Sequence, residues 1–500
     1  MWESIILGFS VCSQPINLFL CFLGVLIGTL IGVLPGLGPG ATIALLLPVT
    51  FEMNPTSAII MLAGIFYGAQ YGGSTTSILV NIPGEAASVV TCLDGHKMAL
   101  QGRAGPALGI AALGSFIAGT FSIVGLMLLA TPLSEFALRF GPPEYFGLLC
   151  LGMTFVVYLA QKSVQKAIIS ALLGIVISQV GIDFISGVQR FSFGLPELFD
   201  GITLVPVVMG LFGLGEVFLS LEQEVSKISV ISHVKNLLPD LQDWKDSTWP
   251  IVRGSILGFL IGVLPGGGPT LSSFASYGIE KRVSKRPGQF GTGVIEGVAG
   301  PEAANNSATG GSFVPLLTLG VPTNVVMALL FSALMIHGIQ PGPMFIIQYP
   351  DVFWGFIASM YIGNIMLVAL NLPLIPIWVR FLKIPYRILF PLIIMFCLIG
   401  AYSERGLAFD VIIVILFGVG GYLMRKFGYE IAPLVLGFIL GRMIESSLRT
   451  SLIMSDGSFL IFFTRPISAI FLIFAMLLLL SNLIPFIKKR LKKLEEIEIT

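Results

Sequence analysis

The sequence predicts an all-α polytopic membrane protein made of two homologous halves, and three observations predict it. The chain has 500 residues, of which 55% are hydrophobic and 11% are charged, whereas about a quarter of the residues in a soluble domain are charged. Apolar runs long enough to cross a bilayer, about 20 residues each, recur along almost the whole chain. A ten-residue motif occurs twice, with nine identical positions. The net charge of +1 gives no reason to expect a nucleic-acid partner.

The apolar runs predict about 11–13 transmembrane segments, including broken or re-entrant helices. They lie near residues 18–34, 56–71, 106–131, 143–160, 165–181, 201–220, 251–264, 313–337, 352–379, 386–402, 408–424, 430–444 and 466–487. One polar stretch is too long for a tight turn and divides the chain. We therefore expect a first membrane repeat at 1–220, a polar linker at 221–249, and a second membrane repeat at 250–500 with a basic cytoplasmic tail.

The duplicated motif occupies Leu30–Pro39 in the first half and Leu260–Pro269 in the second. A further pair of motifs follows in the same order and at similar spacing, Gly72-Gly73-Ser74 with Pro83 downstream and Gly310-Gly311-Ser312 with Pro322 downstream. This agreement indicates an internal duplication, which is common in secondary transporters.

Basic residues predict how the two halves are oriented. Five lysines and arginines within 488–493 place the C-terminus in the cytoplasm under the positive-inside rule. Four more within 281–286 mark a second cytoplasmic loop, whereas the corresponding loop of the first half, 51–55, has no basic residue. Equivalent loops are therefore expected on opposite sides of the membrane, which favours an inverted repeat over a parallel one.

The Pro-Gly-x-Gly-Pro motifs predict two interruptions of the helical backbone. Proline and glycine disfavour a helix, and lipid supplies no replacement hydrogen bonds, so such a break must be buried in protein or line a wet cavity. Freed carbonyls could bind a coupling cation at Gly36, Gly38, Gly266 and Gly268, and Glu302 could join them. The alternative is a tight turn that lets helices pack closely.

Glycines at every fourth position predict a helix-packing face in each half. They are Gly24, Gly28 and Gly32 in the first half, and Gly254, Gly258 and Gly262 in the second.

Clusters of hydroxyl and amide side chains predict a binding site for an anion. Such groups can hydrogen-bond a carboxylate without the cost of a buried charge. The candidate substrate-binding residues are Ser74, Thr75, Thr76, Asn305, Asn306, Ser307, Gly311 and Ser312. We expect a carboxylate to meet them between the two repeats, together with backbone N–H groups freed at the glycines. The alternative is that each Ser or Thr hydroxyl hydrogen-bonds a carbonyl of its own helix.

Two carboxylates lie beside these polar runs, and each has two interpretations. Glu302 precedes Asn305, and Glu85 follows the first run. An intramembrane carboxylate often handles protons or cations, but either residue could instead cap the N-terminus of a half-helix. Lys97 and Arg103 could attract an anion, although a solvated loop is the simpler interpretation.

At these motifs the sequence resembles the large membrane subunit of the tripartite tricarboxylate transporters, the TctA family. The segments that carry the resemblance are 32–39, 67–76, 81–85, 92–96, 262–269, 296–306 and 338–343. The resemblance implies a secondary active transporter that imports a carboxylate such as citrate with a coupled cation, commonly Na⁺, with H⁺ as the other candidate. It also implies a small membrane subunit and a periplasmic substrate-binding protein as partners, and a multi-pass location in the bacterial cytoplasmic (inner) membrane. No other cofactor is expected.

Two other classes of function remain as alternatives. An intramembrane enzyme would need a nucleophile, base or metal cluster at membrane depth, and the polar residues here are mainly hydroxyls and amides. An anion channel is harder to separate from a carrier by sequence. Concentrative uptake that stops when the ion gradient collapses would identify a carrier.

Overall fold

The computed structural model describes residues 2–34, 38–160, 163–222, 234, 236–381 and 386–481. Within these residues the chain is almost entirely helical, as the composition predicts. The helices are α1 Trp2–Cys12, α2 Pro15–Val33, α3 Pro39–Leu46, α4 Pro55–Val80, α5 Thr91–Leu100, α6 Ala104–Ala137, α7 Pro142–Tyr158, α8 Val164–Ser178, α9 Leu204–Val208, α10 Gly215–Glu222, α11 Leu241–Val263, α12 Gly268–Val283, α13 Glu296–Leu319, α14 Val325–Ile336, α15 Phe345–Gln348, α16 Pro350–Asn371, α17 Ile375–Phe381, α18 Tyr386–Arg405, α19 Ala408–Lys426, α20 Ile431–Met454, α21 Ile461–Thr464 and α22 Pro466–Ser481.

Six helical segments of the described chain are long and apolar enough to cross a membrane. They are α2, α6, the segment Leu204–Glu222, α16, α19 and α20. Helices α4, α11 and α13 have 26, 23 and 24 residues, which is also long enough for a bilayer, but they are not among these six. The protein is thus a multi-pass membrane protein, and the expected number of 11–13 crossings stays a prediction.

The structure gives two helix boundaries that the sequence analysis left open. The apolar run 313–337 is not one span, because α13 ends at Leu319 and α14 begins only at Val325. The run reads as continuous since the residues of the break are themselves apolar or small. The second part of the predicted linker is helical, because α11 already begins at Leu241, where Asp240 caps it by accepting from the N–H groups of Gln242 and Asp243.

The chain forms two compact units that do not follow the sequence halves. Unit 1 consists of the described parts of 1–138 and 203–423, and unit 2 of those of 139–202 and 424–500. Unit 1 therefore contains both copies of each duplicated motif.

The glycine faces of unit 1 pack helices closely, as predicted. A Cβ on Gly28 of α2 would lie 2.5 Å from the carbonyl oxygen of Ile65 on α4. A Cβ on Gly258 of α11 would lie 2.2 Å from the carbonyl oxygen of Ala304 on α13. Because only glycine lets two backbones approach this far, the motif fixes the α2–α4 pair in the first half and the α11–α13 pair in the second.

The second Pro-Gly motif interrupts the helical backbone, as expected. Helix α11 ends at Val263, α12 begins at Gly268, and Gly266 has a φ of +78° that favours glycine. The N–H of Gly266 donates to the carbonyl oxygen of Thr323 at 2.7 Å, so this break meets the break between α13 and α14. In the first half, α2 ends at Val33 and α3 begins at Pro39, with residues 35–37 outside the described part of the chain.

The long polar helices α4 and α13 cross in opposite directions. The Ser74 hydroxyl contacts the Glu302 carboxylate at 2.6 Å, and the rings of Phe66 and Phe313 lie 6.3 Å apart. The second contact lies nearer the start of α4 but nearer the end of α13 than the first, so the two helices run antiparallel. These helices carry the equivalent Gly-Gly-Ser motifs of the two halves.

Helices α6 and α16 are also antiparallel. The Asn364 side-chain amide donates to the carbonyl oxygen of Phe116 at 2.9 Å, and the Tyr361 hydroxyl lies 3.4 Å from the sulfur of Met127. Each is the long helix that follows the second break in its own half.

Unit 2 contains a short antiparallel β-hairpin after α8. Strands β1 Gly181–Ile182 and β2 Gln189–Arg190 pair with Gly181 opposite Arg190. The Asp183 carboxylate accepts hydrogen bonds from Arg190 and from Arg449 of α20, at 2.8 and 2.7 Å. This carboxylate therefore fixes the hairpin to α20.

Candidate functional site

The centre of the candidate site is a buried carboxylate between the two halves. Glu302 of α13 has no solvent exposure. One of its oxygens accepts from the Ser74 hydroxyl at 2.6 Å and from the Asn305 amide at 3.3 Å. The other accepts from the Thr91 hydroxyl of α5. Every donor is neutral, so the carboxylate is solvated by side-chain dipoles and not by a cationic side chain.

A second set of amides and hydroxyls continues from this carboxylate along α13. The Asn306 side-chain amide donates to the Ser115 hydroxyl of α6 at 2.7 Å, to the carbonyl oxygen of Glu302 at 3.1 Å and to the Asn305 side-chain oxygen. The α6 helix can approach because small residues line this face, among them Ala111 and Ala112. The sequence therefore brings polar groups from α4, α5, α6 and α13 into one buried network.

A small cavity lies beside this network, between α4 and α6. Its lining residues are Tyr71, Ser74, Thr75, Leu108, Ala111, Ala112, Ser115 and Asn371. The space available holds about one water molecule, which is far too little for a carboxylate substrate. The helices must therefore move before a substrate can enter here.

Four of the predicted substrate-binding residues lie at or next to the cavity. Ser74 and Thr75 line it directly. Asn305 and Asn306 reach it through their contacts with Glu302 and Ser115. Ser74 and Asn305 therefore both donate to the Glu302 carboxylate, and their role in substrate binding stays a prediction.

The other predicted residues face neighbouring helices. Thr76 donates to the carbonyl oxygen of Val33, the last residue of α2, at 2.7 Å. Ser307 donates to the carbonyl oxygen of Ser255 on α11, and Gly311 lies against Phe259 of the same helix. Ser312 lies apart, accepting a hydrogen bond from Asn324 at 3.2 Å.

The expectation that backbone N–H groups are freed at the polar glycines is wrong. Gly72 and Gly73 lie inside the continuous helix α4, and Gly310 and Gly311 lie inside α13. These glycines serve close packing instead, because Cβ atoms there would meet Thr29, Glu85, Ser122 and Phe259. The backbone breaks occur further along, at 81–85 and 320–324.

The predicted cation-binding loops have related geometry in the two halves. The carbonyl oxygen of Gly38 accepts from the Thr42 hydroxyl at 3.2 Å, and that of Gly268 accepts from the Ser272 hydroxyl at 2.8 Å. Gly266 and Gly268 both have positive φ. Gly36 lies outside the described residues, and Glu302 belongs to the polar network on α4 and α13.

Glu85 caps a short helical segment, which was one of the two interpretations of this residue. Its side chain accepts from the N–H of Ala87 at 2.8 Å, at the start of a single turn of 3₁₀ helix at 86–89. Its second carboxylate oxygen is buried and has no hydrogen-bond partner. Glu302, in contrast, lies within α13 and caps nothing.

Four residues of the site were missed by sequence analysis: Tyr71, Thr91, Ser115 and Asn371. Each is a polar residue inside or beside a helical apolar segment, and that position could have identified them. Tyr71 and Thr91 adjoin motifs already singled out, whereas no motif surrounds Ser115 or Asn371. The alternative anion site is not supported by geometry, because Arg103 pairs with Asp243 and Lys97 is exposed.

Comparisons with known proteins identify the family of the chain. The family model of the tripartite tricarboxylate transporter TctA family matches residues 18–436. An uncharacterized 52.8 kDa protein in the TAR-I ttuC' 3' region of Agrobacterium vitis is 50% identical over 487 residues, covering 97% of each chain. An uncharacterized protein in the TAR-II ttuC' 3' region of the same organism is 52% identical over 233 residues, or 47% of this chain and 96% of its own. No solved structure gives a significant match.

Proposed function

Because this chain belongs to the tripartite tricarboxylate transporter TctA family, we propose that it is the large membrane subunit of a secondary active transporter. It imports a small carboxylate, a tricarboxylate such as citrate or a related organic acid, together with a coupled cation, Na⁺ or H⁺. A periplasmic binding protein delivers the substrate, and a small membrane subunit completes the transporter in the bacterial inner membrane. The C-terminus lies in the cytoplasm.

The observation that carries this proposal is the cavity between α4 and α6, which is lined by neutral donors and lies beside the contact of α4 with α13. Ser74, Thr75 and Ser115 line it, and none of its lining residues is charged. Neutral donors suit a carrier, because a fixed buried arginine would bind the anion tightly and slow its release. Each hydrogen bond to a charged substrate contributes about 1.5–3 kcal/mol, so a few such bonds give a useful but reversible affinity.

The direction of the equivalent helices supports an inverted repeat. Counterparts α4 and α13 are antiparallel, and so are α6 and α16. Helices related by a two-fold axis in the membrane plane must run in opposite directions across the bilayer, whereas parallel repeats would keep one direction. We propose that alternating access arises by motion of the two repeats around the site at Ser74.

The enclosed cavity fits the closed state through which a carrier passes. A channel needs a continuous open path in at least one state, whereas a carrier passes through a closed state between its two open ones. An intramembrane enzyme is a weaker alternative, because the TctA family is a family of transporters.

The test is uptake by the complete transporter in proteoliposomes. The chain, its small membrane subunit and its binding protein would be supplied with a panel of labelled di- and tricarboxylates. We expect one or a few of them to accumulate above the external concentration, and accumulation to stop when an ionophore collapses the cation gradient. Uptake that only equilibrates, with or without the gradient, would identify a channel and contradict the proposal. Liposomes without the binding protein control for its role in delivery.

A further inference from the structure

Two buried carboxylates flank one turn of α4. The Glu302 carboxylate accepts a hydrogen bond from Ser74, while a Cβ on the preceding residue, Gly73, would lie 2.8 Å from Cγ of Glu85. The Glu85 side chain therefore lies against the α4 backbone at the turn that also contacts Glu302. The two carboxylates therefore contact consecutive residues of α4, Gly73 and Ser74, and both are buried, with Glu302 at 0% and Glu85 at 8% exposure.

In the part of the chain that the structure describes, no cationic side chain balances this pair. Within the described residues, neither carboxylate forms an ion pair. The titratable side chains next along α4 and α5, Tyr71 one turn before Ser74 and Cys92 directly after Thr91, are both neutral at physiological pH. Ser115 of α6 and Ser273 of α12 approach the carbonyl oxygens of Glu302 and Pro301. Two further carboxylates lie one or two turns away along α13, and both have their own partners. Glu280 of α12 lies beside Gly300 and pairs with Arg253, and Asp94 of α5 lies beside Gly297 and accepts from Tyr277.

Two adjacent carboxylates in such an environment cannot both be ionised without a large cost. Removing one ionised carboxylate from water costs several kcal/mol even after the protein relaxes, and a second like charge beside it adds to this. The pair is therefore most stable when it holds one positive ion.

The hydrogen bonds distinguish the roles of the two residues. Glu302 accepts bonds from three neutral donors, which stabilise an ionised carboxylate. Glu85 accepts from backbone N–H groups at the start of the 86–89 turn, those of Ala87 and Ser88, while one of its oxygens has no partner. A buried ionised oxygen without a hydrogen-bond donor would be the costliest arrangement for this pair. The unpartnered oxygen of Glu85 is therefore the position for a proton.

We propose, on the basis of the transport function above, that Glu85 and Glu302 form a proton-binding pair that couples carboxylate import to the proton gradient. The proton binds to the free oxygen of Glu85 from the periplasmic side and leaves toward the cytoplasm. Ser74 connects this pair to the substrate, because its hydroxyl both lines the cavity and donates to Glu302.

The shared hydroxyl explains how substrate and proton bind together. A substrate carboxylate that accepts the Ser74 hydrogen removes one of the donors from Glu302. The pair then has less stabilisation of its negative charge and holds its proton more tightly. By linkage, a bound proton raises substrate affinity by the same factor.

The spectroscopic test uses the purified full chain and needs no transport. Infrared spectra recorded across a pH series would show a band from a protonated carboxylic acid in a non-aqueous environment, and Glu85→Gln would remove it. Glu52→Gln is the matched control, since Glu52 is exposed on a loop and the substitution changes the charge equally. Absence of the band from the wild type at every pH, or its persistence in Glu85→Gln, would overturn the assignment to Glu85.

The transport test uses the three-subunit proteoliposomes with either a proton or a sodium gradient. We expect the proton gradient to drive accumulation in the wild type and in Glu52→Gln, and Glu85→Gln to accumulate roughly tenfold less or worse. Exchange of internal for external substrate, which needs no net proton movement, should remain measurable in Glu85→Gln. Accumulation driven by sodium alone, or loss of exchange together with accumulation, would contradict the proton pair. A wild type that accumulates nothing under any gradient would instead refute the transport function, while the infrared band still tests the pair.

Discussion

Replacing Gly28 with alanine tests the packing that positions the site. The new Cβ would lie 2.5 Å from the carbonyl oxygen and 2.8 Å from the Cα of Ile65, whereas ordinary contact begins at 3.4 Å. Both neighbours are backbone atoms of α4, so no side chain can rotate away. Helices α2 and α4 must therefore separate by about 1 Å, and overpacking of this kind costs about 1–3 kcal/mol.

Gly28→Ala also has a stabilising contribution, which reduces the net loss of stability. Alanine is a better helix former than glycine by up to about 1 kcal/mol. The control is Gly420→Ala in α19, where nothing lies within 4 Å of the new Cβ and only this gain applies. We expect Gly28→Ala to be less stable than the wild type by about 1–2 kcal/mol, and Gly420→Ala to be unchanged or slightly more stable.

The assay is thermal unfolding in detergent together with substrate uptake. A shift of α4 by about 1 Å would lengthen the 2.6 Å hydrogen bond between Ser74 and Glu302, so uptake by Gly28→Ala should fall more than its folded fraction does. Equal melting temperatures for Gly28→Ala, Gly420→Ala and the wild type would show that α2 and α4 do not approach as closely as described, and would refute this reasoning.

Three further predictions concern orientation, substrate affinity and the hairpin of unit 2. Single cysteines at Asn54 and Lys285 should react with impermeant thiol reagents from opposite sides of the membrane, and labelling of both from one side would exclude an inverted repeat. Asn306→Ala should weaken substrate binding about ten- to a hundred-fold in correctly inserted protein, measured by equilibrium binding, and wild-type affinity would place the substrate elsewhere. Hydrogen bonds from Ser186 and from an arginine of α20 hold the pKa of Asp183 below its usual range, so its stabilising effect is complete at neutral pH and is lost only as pH falls below about 4. Asp183→Asn should therefore lower the melting temperature at pH 7 and make less difference in acid, and an equal difference at both pH values would contradict an ionic role.

The sequence by itself determined the membrane class, the duplicated motifs and the packing faces. Each of these follows from a local property of the chain. The low charge content makes lipid the solvent, and glycine at every fourth position gives one helix a face without side chains. The break at 264–268 was equally predictable, since proline and glycine cannot continue a helix without cost.

Only the tertiary structure decided which polar residues form the site. Ser74, Thr76 and Ser77 look alike in the sequence, but a helix turns by 100° per residue, and their hydroxyls therefore face different neighbours. Ser74 faces Glu302 and Thr76 faces the end of α2. Which neighbour each one meets depends on the crossing of α4 with α13, two helices more than 200 positions apart in the chain. Thr91 and Ser115 join the network for the same reason, because contacts at that separation are set by how the helices pack and not by any local pattern.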